Sequence, residues 1–332
     1  MALRQPYLLF IGDARDQLAA KTAYGVAHWR PEMCVGQLRL AGCEITVGLA
    51  DMTVAEAAAA GARTLLIGVA NRGGVISTVW ADTMTRALEA GMDVASGLHN
   101  RLSDVPELAD RAARQGRELI EVREPSRVFA IGTGARRAGR RLITVGTDVS
   151  VGKMYAALAI EREMRARGLK ADFRATGQTG IFIAGDGVAV DAVVSDFISG
   201  ATEWLCPAND DDHWDVIEGQ GSVLHPSYAG VTLGLLHGAQ ADALVACHDA
   251  TRTRLRGAPE YPVPSVEDCI AAHVAGARLT NPDARCIGVA INTSGLDLEA
   301  AERTLKETED RVGLPCVDPV ATGVAAIVDR LA

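Results

Sequence analysis

The stretch Gly146-Thr147-Asp148-Val149-Ser150-Val151-Gly152-Lys153-Met154 constrains this chain more than any other. It follows a β-rich run at residues 141–145. It opens a segment, 153–167, whose Ala and Leu fall on one face and whose Glu161, Arg162 and Glu163 fall on the other. A glycine-rich loop between a strand and a helix turns several backbone N–H groups into one concavity, and the helix N-terminus adds partial positive charge. A lysine at that point supplies a compact charge for phosphate oxygens. Strand, loop, Gly-Lys and helix in that order is far more specific than a pair of glycines. It predicts an anion cradle formed by Thr147, Asp148, Val149, Ser150, Val151, Gly152, Lys153 and Met154. The plain alternative is an ordinary glycine-rich turn.

Two details narrow the ligand. The spacing is G-x5-GK, one residue longer than the standard P-loop, and it resembles the GTD-x3-GK loop of dethiobiotin synthetase and its relatives. Met154 stands where nucleotide hydrolases place a Ser or Thr hydroxyl on Mg²⁺. Mg²⁺ demands hard oxygen donors, and a thioether is a poor substitute. The loop therefore suits a phosphorylated carrier that is held without being hydrolysed, such as coenzyme A, and no metal is expected.

The rest of the chain supplies a setting for such a loop. Its 332 residues point to two domains. With 48% hydrophobic, 23% charged and only 4% aromatic residues, the core must be built largely from Ala, Val, Leu and Ile. Strand-like runs at 7–11, 43–47, 64–69, 93–96 and 118–122 alternate with helix-like runs at 17–29, 53–60, 82–90 and 104–115. Thr53 and Glu56 form a capping box at the head of the second helix. Residues 123–140 break this alternation with Pro125, Gly132, Gly134, Gly139 and an arginine cluster, Arg136, Arg137, Arg140 and Arg141. The cluster reads as a solvated linker, or as help for an anion at the loop that follows. The alternation then resumes with strands at 141–145, 214–217, 243–247 and 285–291 and helices at 153–167, 231–237, 266–275, 297–312 and 320–331. The reading is an α/β chain of two parallel-sheet domains, residues 1–125 and 141–332, joined by 126–140.

Charge and cysteine content exclude other classes. A net charge of −9 with no long basic run argues against nucleic acid as a partner. Cys34, Cys43, Cys206, Cys247, Cys269, Cys286 and Cys316 form no CxxC pair, which fits reduced thiols in the cytoplasm. The apolar run at 7–11 is far too short to span a membrane. Asp210, Asp211, Asp212 and His213 are consecutive, and consecutive residues rarely converge on one ion, so a solvated turn is expected there.

Loops at the carboxyl ends of parallel strands line the ligand crevice of such sheets. Asp215-Val216-Ile217-Glu218 is an apolar strand ending in an acid, followed by Gly219, Gln220, Gly221 and Ser222, with His225 close behind. Glu218 and His225 are candidates for proton transfer. Thr176, Gln178 and Thr179 follow another strand and are hydrogen-bonding candidates. Arg72, in Asn71-Arg72-Gly73-Gly74, His99 and Arg101 are carboxylate-binding candidates, with plain loop chemistry as the alternative. Asn292 to Gly295 and Asp318 to Gly323 end later strands and are placed to meet the adenine or ribose end of a nucleotide.

These motifs resemble a known family. GTDVSVGKM, ATGQTGIFIAGDG, IEGQGS, LHPSYAGVTLGLLHG and DPVATG look like its C-terminal P-loop domain; NRGG and ASGLH look like its N-terminal Rossmann-like domain. It was long classed as a domain of unknown function, and one branch comprises the D-glutamate N-acetyltransferases. Tyr155 stands where similar sequences carry Thr. The resemblance implies a Rossmann-like parallel sheet followed by a P-loop NTPase-like one. It also implies acetyl transfer from acetyl-CoA to the amino group of D-glutamate, in D-amino acid catabolism, by a self-pairing subunit.

That chemistry needs a base for the amine, N–H or hydroxyl donors for the oxyanion and cationic partners for a dicarboxylate. Glu218 and His225 are the candidate bases. Gln220, Gly221 and Ser222 are candidate oxyanion or substrate contacts, and Arg174 and Arg72 candidate carboxylate partners. An ATP-dependent ligase of the dethiobiotin-synthetase type is the main rival, and Met154 argues against it. A CoA-binding regulator without turnover is a second rival. An NAD-dependent oxidoreductase would need a G-x-G-x-x-G turn, and the N-terminal half has none.

Overall fold

A computed structural model describes residues 3–17, 19–69, 76–125 and 127–331. The chain divides into two compact units: Met1–Ser126 with Gln178–Ala189, and Arg127–Gly177 with Val190–Ala332.

The first unit alternates β1 (Tyr7–Gly12), α1 (Lys21–Trp29), β2 (Cys34–Arg39), α2 (Val54–Ala59), β3 (Thr64–Ile67), α3 (Thr78–Glu89), β4 (Asp93–Ser96), α4 (Pro106–Gln115) and β5 (Leu119–Glu121). Its five strands lie in the order β2-β1-β3-β4-β5, all parallel. β1, β3 and β4 are buried along their whole length, as strands covered on both faces by helices must be. Thr53 and Glu56 form the expected capping box on α2. The Ser77 hydroxyl accepts from Trp80 N and starts α3 a turn earlier than the apolar pattern indicates.

One strand was misplaced by the sequence. Residues 43–47 form no strand; the neighbour of β1 is Cys34–Arg39, whose Gly36 and Gln37 hide its character. The buried Gln37 amide donates to Thr46 Oγ1 and Asp51 Oδ1, each at 2.8 Å, and accepts from Val47 N at 2.8 Å. Side-chain bonds thus hold 43–47 where a ladder was expected. The segment read as a glycine-rich loop contains a helix, α6 (Gln178–Ala184), which packs on α1 with the Thr22 and Thr179 hydroxyls 3.0 Å apart.

The second unit contains β6 (Arg140–Gly146), α5 (Lys153–Ala166), β7 (Ala171–Arg174), α7 (Ile198–Leu205), β8 (Trp214–Ile217), α8 (Ala229–Ala239), β9 (Ala243–Asp249), β10 (Arg254–Leu255), β11 (Ala258–Pro262), α9 (Val266–Ala277), β12 (Arg285–Asn292), α10 (Leu298–Val312), β13 (Cys316–Val317) and α11 (Ala325–Val328). Six parallel strands lie in the order β13-β12-β9-β6-β8-β7, and β10 and β11 form a small antiparallel hairpin. β6 is central, so the 146–154 loop leaves the middle of the sheet at its carboxyl edge. The last helix is shorter than the apolar pattern of 320–331 suggests. Asp318 Oδ1 accepts from Val320 N and Ala321 N, at 2.8 and 3.0 Å, and holds that stretch in a turn ending at Gly323. All seven cysteines are free thiols. Among the described residues no helix is long and apolar enough to cross a membrane.

Candidate active site

The anion cradle is built from the end of β6 and the start of α5. Gly152 takes φ +96° as the residue preceding the helix, and Ser150 also lies in the left-handed region at φ +53°. Only glycine adopts such angles without cost, and a Ser held there marks a loop shaped by its surroundings. Lys153 begins α5 and is 93% buried; its Nζ donates to the carbonyl oxygen of Asp148 at 2.7 Å. Burial pushes the Lys153 pKa down, against the smaller opposing influence of Cys247, Cys269 and Asp148. Thr144 Oγ1 donates to Lys153 O at 3.1 Å and accepts from Gly219 N at 3.0 Å, tying cradle, β6 and the exit of β8 together. A side chain at Gly219 would collide with the Thr144 carbonyl, so this close approach requires glycine.

Asp148 is fully buried inside this loop. Its carboxylate accepts from Val149 N (2.7 Å), Arg256 N (2.8 Å) and the Arg252 guanidinium (3.0 Å). Arg252 also donates to the carbonyl oxygens of Val149 and Ser150. Arg252 thus clamps the loop and pairs with Asp148, and it also lies 3.3 Å from Asp249. Nothing local in the sequence marks Arg252, which lies 104 positions away from Asp148. The one available signal was that a buried acid needs a cation. On the other flank, Thr147 Oγ1 lies 3.0 Å from His248 Nδ1.

Glu218 stands one strand away, where β8 ends beside β6. It is buried, and its Oε2 accepts from Thr176 N and Gly177 N, both at 3.0 Å. Thr176 Oγ1 donates to Glu218 O at 2.5 Å, and Gln220 Nε2 donates to Thr176 Oγ1 at 3.3 Å. Burial drives the Glu218 pKa up to about 7; the two backbone N–H groups and the nearby Lys153 charge hold it from rising further. A carboxyl poised near neutrality, close to a cationic cradle, can exchange a proton at working pH.

The other candidates have partners of their own. His225 is buried, its Nδ1 accepting from Ser227 N at 3.1 Å and its Nε2 donating to Arg256 O at 3.1 Å. Its ring packs on Tyr228 with centroids 4.6 Å apart. The Ser222 hydroxyl is fully buried and accepts from Leu224 N at 3.2 Å. Gly221 is hemmed in by Thr232 and Tyr228. Arg174 donates through Nε to Asp215 at 2.7 Å and lies 3.6 Å from Asp172. Gln178 belongs to the first unit, where it packs against Gly97. Arg72 falls outside the described residues. Asp318 Oδ2 accepts from Thr293 N and Thr293 Oγ1, at 2.9 and 2.6 Å, so the two loops named for an adenine or ribose brace one another.

The arginine cluster does not adjoin the cradle. Arg140 and Arg141 start β6, and Gly146 ends it, about 20 Å away at ~3.3 Å per residue. The cluster is solvated only in part: Arg136 and Arg140 are exposed, while Arg141 is 97% buried. The acids at 210–212 pair instead with Lys170, 3.1 Å from Asp210 and 3.0 Å from Asp212. Among the described residues no group of three or more His, Cys, Asp or Glu is arranged to hold a metal ion.

Comparison with known proteins decides the family. Residues 128–328 match the DUF1611 C-terminal P-loop domain, and residues 38–125 match the DUF1611 N-terminal Rossmann-like domain, both described as domains of unknown function. The chain belongs to the DUF1611 family. A DUF1611 protein from Anabaena variabilis, solved by crystallography, superimposes with a TM-score of 0.88 at 31% identity over 99% of both chains. Two curated relatives bear the name D-glutamate N-acetyltransferase. The one from Tritonibacter scottomollicae is 55% identical over 330 residues, 99% of each chain. The one from a Pseudoalteromonas species is 48% identical over 331 residues, the full length of both.

Proposed function

We propose that this chain is a D-glutamate N-acetyltransferase that takes its acetyl group from acetyl-CoA held at the 146–154 cradle. Full-length relatives at 55% and 48% identity carry that activity in their names. The observation that carries the choice of donor is Lys153 at a helix N-terminus followed by Met154. That pairing grips phosphate but offers no hydroxyl to magnesium. It weighs against the ligase reading, in which ATP would be split.

In this proposal the α5 N-terminus and Lys153 hold the CoA phosphates, and Arg252 keeps the Asp148 charge from repelling them. The amino group of D-glutamate must lose a proton before attack, and Glu218, with its pKa near 7, receives it. The neutral nitrogen adds to the thioester carbonyl to form the N–C bond and a tetrahedral oxyanion; collapse of that oxyanion breaks the C–S bond, and the proton shed by the nitrogen goes to the departing thiolate, which leaves as free thiol. Gln220 and the backbone of the 219–222 loop are our candidates for oxyanion donors. His225 and Ser222 act as positioning residues, fixing the 222–228 turn through the bonds described above. The setting proposed is a cytoplasmic homodimer.

The test incubates purified protein with acetyl-CoA and a panel of D- and L-amino acids and follows thiol release. Release with D-glutamate alone is expected. ADP formed from ATP without thiol release would overturn the proposal.

A further inference from the structure

The sheet of the second unit has a charged cavity at its other edge. The amino ends of β6, β8, β9 and β12 surround a space of about 470 Å³. Arg136, Arg137, Arg140, Arg141 and Arg285 contribute to its wall, against three acids, Asp211, Asp242 and Asp283. Asp242 is already committed, its two oxygens accepting from Arg141 N at 2.9 Å and Asn281 Nδ2 at 3.0 Å. The lining therefore holds an excess of positive charge in a protein whose net charge is −9.

The arginines are fixed in place. Arg141 spends its terminal nitrogens on the carbonyl oxygens of Ala138 (3.3 Å) and Arg137 (2.9 Å), while its buried Nε has no hydrogen-bond partner. Arg137 donates to Cys206 O and Gly238 O, and its buried NH1 has no hydrogen-bond partner either, with Glu203 3.8 Å away. The Arg140 guanidinium lies over the Trp214 ring, 5.6 Å from its centroid. Leaving charged donors unmatched and out of water is costly, and guanidinium forks match carboxylate and phosphate oxygens. The volume is that of a small-molecule site.

We propose that this cavity binds a small multivalent oxyanion, a phosphate ester or a dicarboxylate, at a site separate from the cradle. The experiment is calorimetric titration at fixed ionic strength with pyrophosphate and, separately, glutarate. It uses the wild type, Lys153→Ala and the double variant Arg140→Ala/Arg285→Ala, whose two positions are solvent-exposed. Lys153→Ala should retain binding of at least one of the two anions. Adding the double substitution to Lys153→Ala should weaken that binding at least tenfold, with thermal midpoint and acetyl transfer of the double variant unchanged. The tighter anion tells phosphate from carboxylate chemistry. Loss of all anion binding in Lys153→Ala alone, or retention when both arginines are removed as well, would overturn the proposal.

Discussion

Replacing Glu218 with Gln keeps the side chain's size, and its amide oxygen can still accept from Thr176 N and Gly177 N, 3.0 Å away in the native protein. What disappears is the ability to take a proton. Positioned general bases contribute about 10²–10⁴ in rate, so kcat for thiol release should fall by about that factor at pH 8, with acetyl-CoA binding little changed. In the wild type, kcat/KM should climb as pH rises through about 7, where the carboxyl ionises, and the variant should lack that limb.

Stability gives an independent readout. The folded pKa of Glu218 is raised from its ordinary 4.5 to about 7, so the folded state binds this proton more tightly than the unfolded chain does. Its contribution is most favourable below pH 4.5, declines as pH climbs toward 7 and is level above; the full loss is about 3 kcal/mol. Glu218→Gln should therefore raise the thermal midpoint relative to wild type at pH 8 and not at pH 5. By contrast Glu218→Ala, which strips both backbone N–H groups of their acceptor, should destabilise by roughly 1–3 kcal/mol per group. Full turnover by the Gln variant would refute the base assignment. A lowered midpoint at pH 8 would refute the account of the carboxyl's environment.

Lys153→Ala should weaken acetyl-CoA binding by about 10- to 100-fold, the loss of one charge-assisted bond of about 1.5–3 kcal/mol, measured by titration calorimetry. Burial lowers the Lys153 pKa and a phosphate would raise it, so wild-type binding at alkaline pH should take up protons; calorimetry in two buffers of different ionisation enthalpy checks this. Asp148→Ala should lower stability by roughly 1–3 kcal/mol per group in denaturant unfolding, because it takes the acceptor from Val149 N and Arg256 N, while Arg252 keeps Asp249 at 3.3 Å. Met154→Ser should gain affinity for Mg-ATP while acetyl transfer changes by less than about threefold, since it adds only the hydroxyl that magnesium requires.

The cradle was legible because its information is local: glycines, lysine and the strand–helix context sit within a dozen residues. The placement of Glu218 was legible for a related reason, as an acid just past the end of an apolar strand; its role is a proposal. Cys34–Arg39 was missed because a strand containing Gly36 and a buried Gln37 shows no apolar run, and its amide bonds to Thr46, Val47 and Asp51 depend on tertiary placement. Proximity in sequence also made His225 and Ser222 look equivalent to Glu218. Their bonds to Arg256, Ser227 and Leu224 appear only once the 219–228 loop is folded.

Arg252 shows why a motif is less than a site. The loop proposed to hold phosphates contains a buried carboxylate, Asp148, and an uncompensated negative charge there would repel such a ligand. The guanidinium at 3.0 Å, shared with Asp249 at 3.3 Å, offsets part of it and at the same time bonds the carbonyl oxygens of Val149 and Ser150, two groups whose dipoles would also oppose an anion. Lys153, meanwhile, donates to Asp148 O, a bond any incoming phosphate must compete with. Affinity at this loop is therefore a difference between the phosphate contact and that internal bond. In the proposed function, Arg252 and the α5 N-terminus are what tilt the difference toward the ligand.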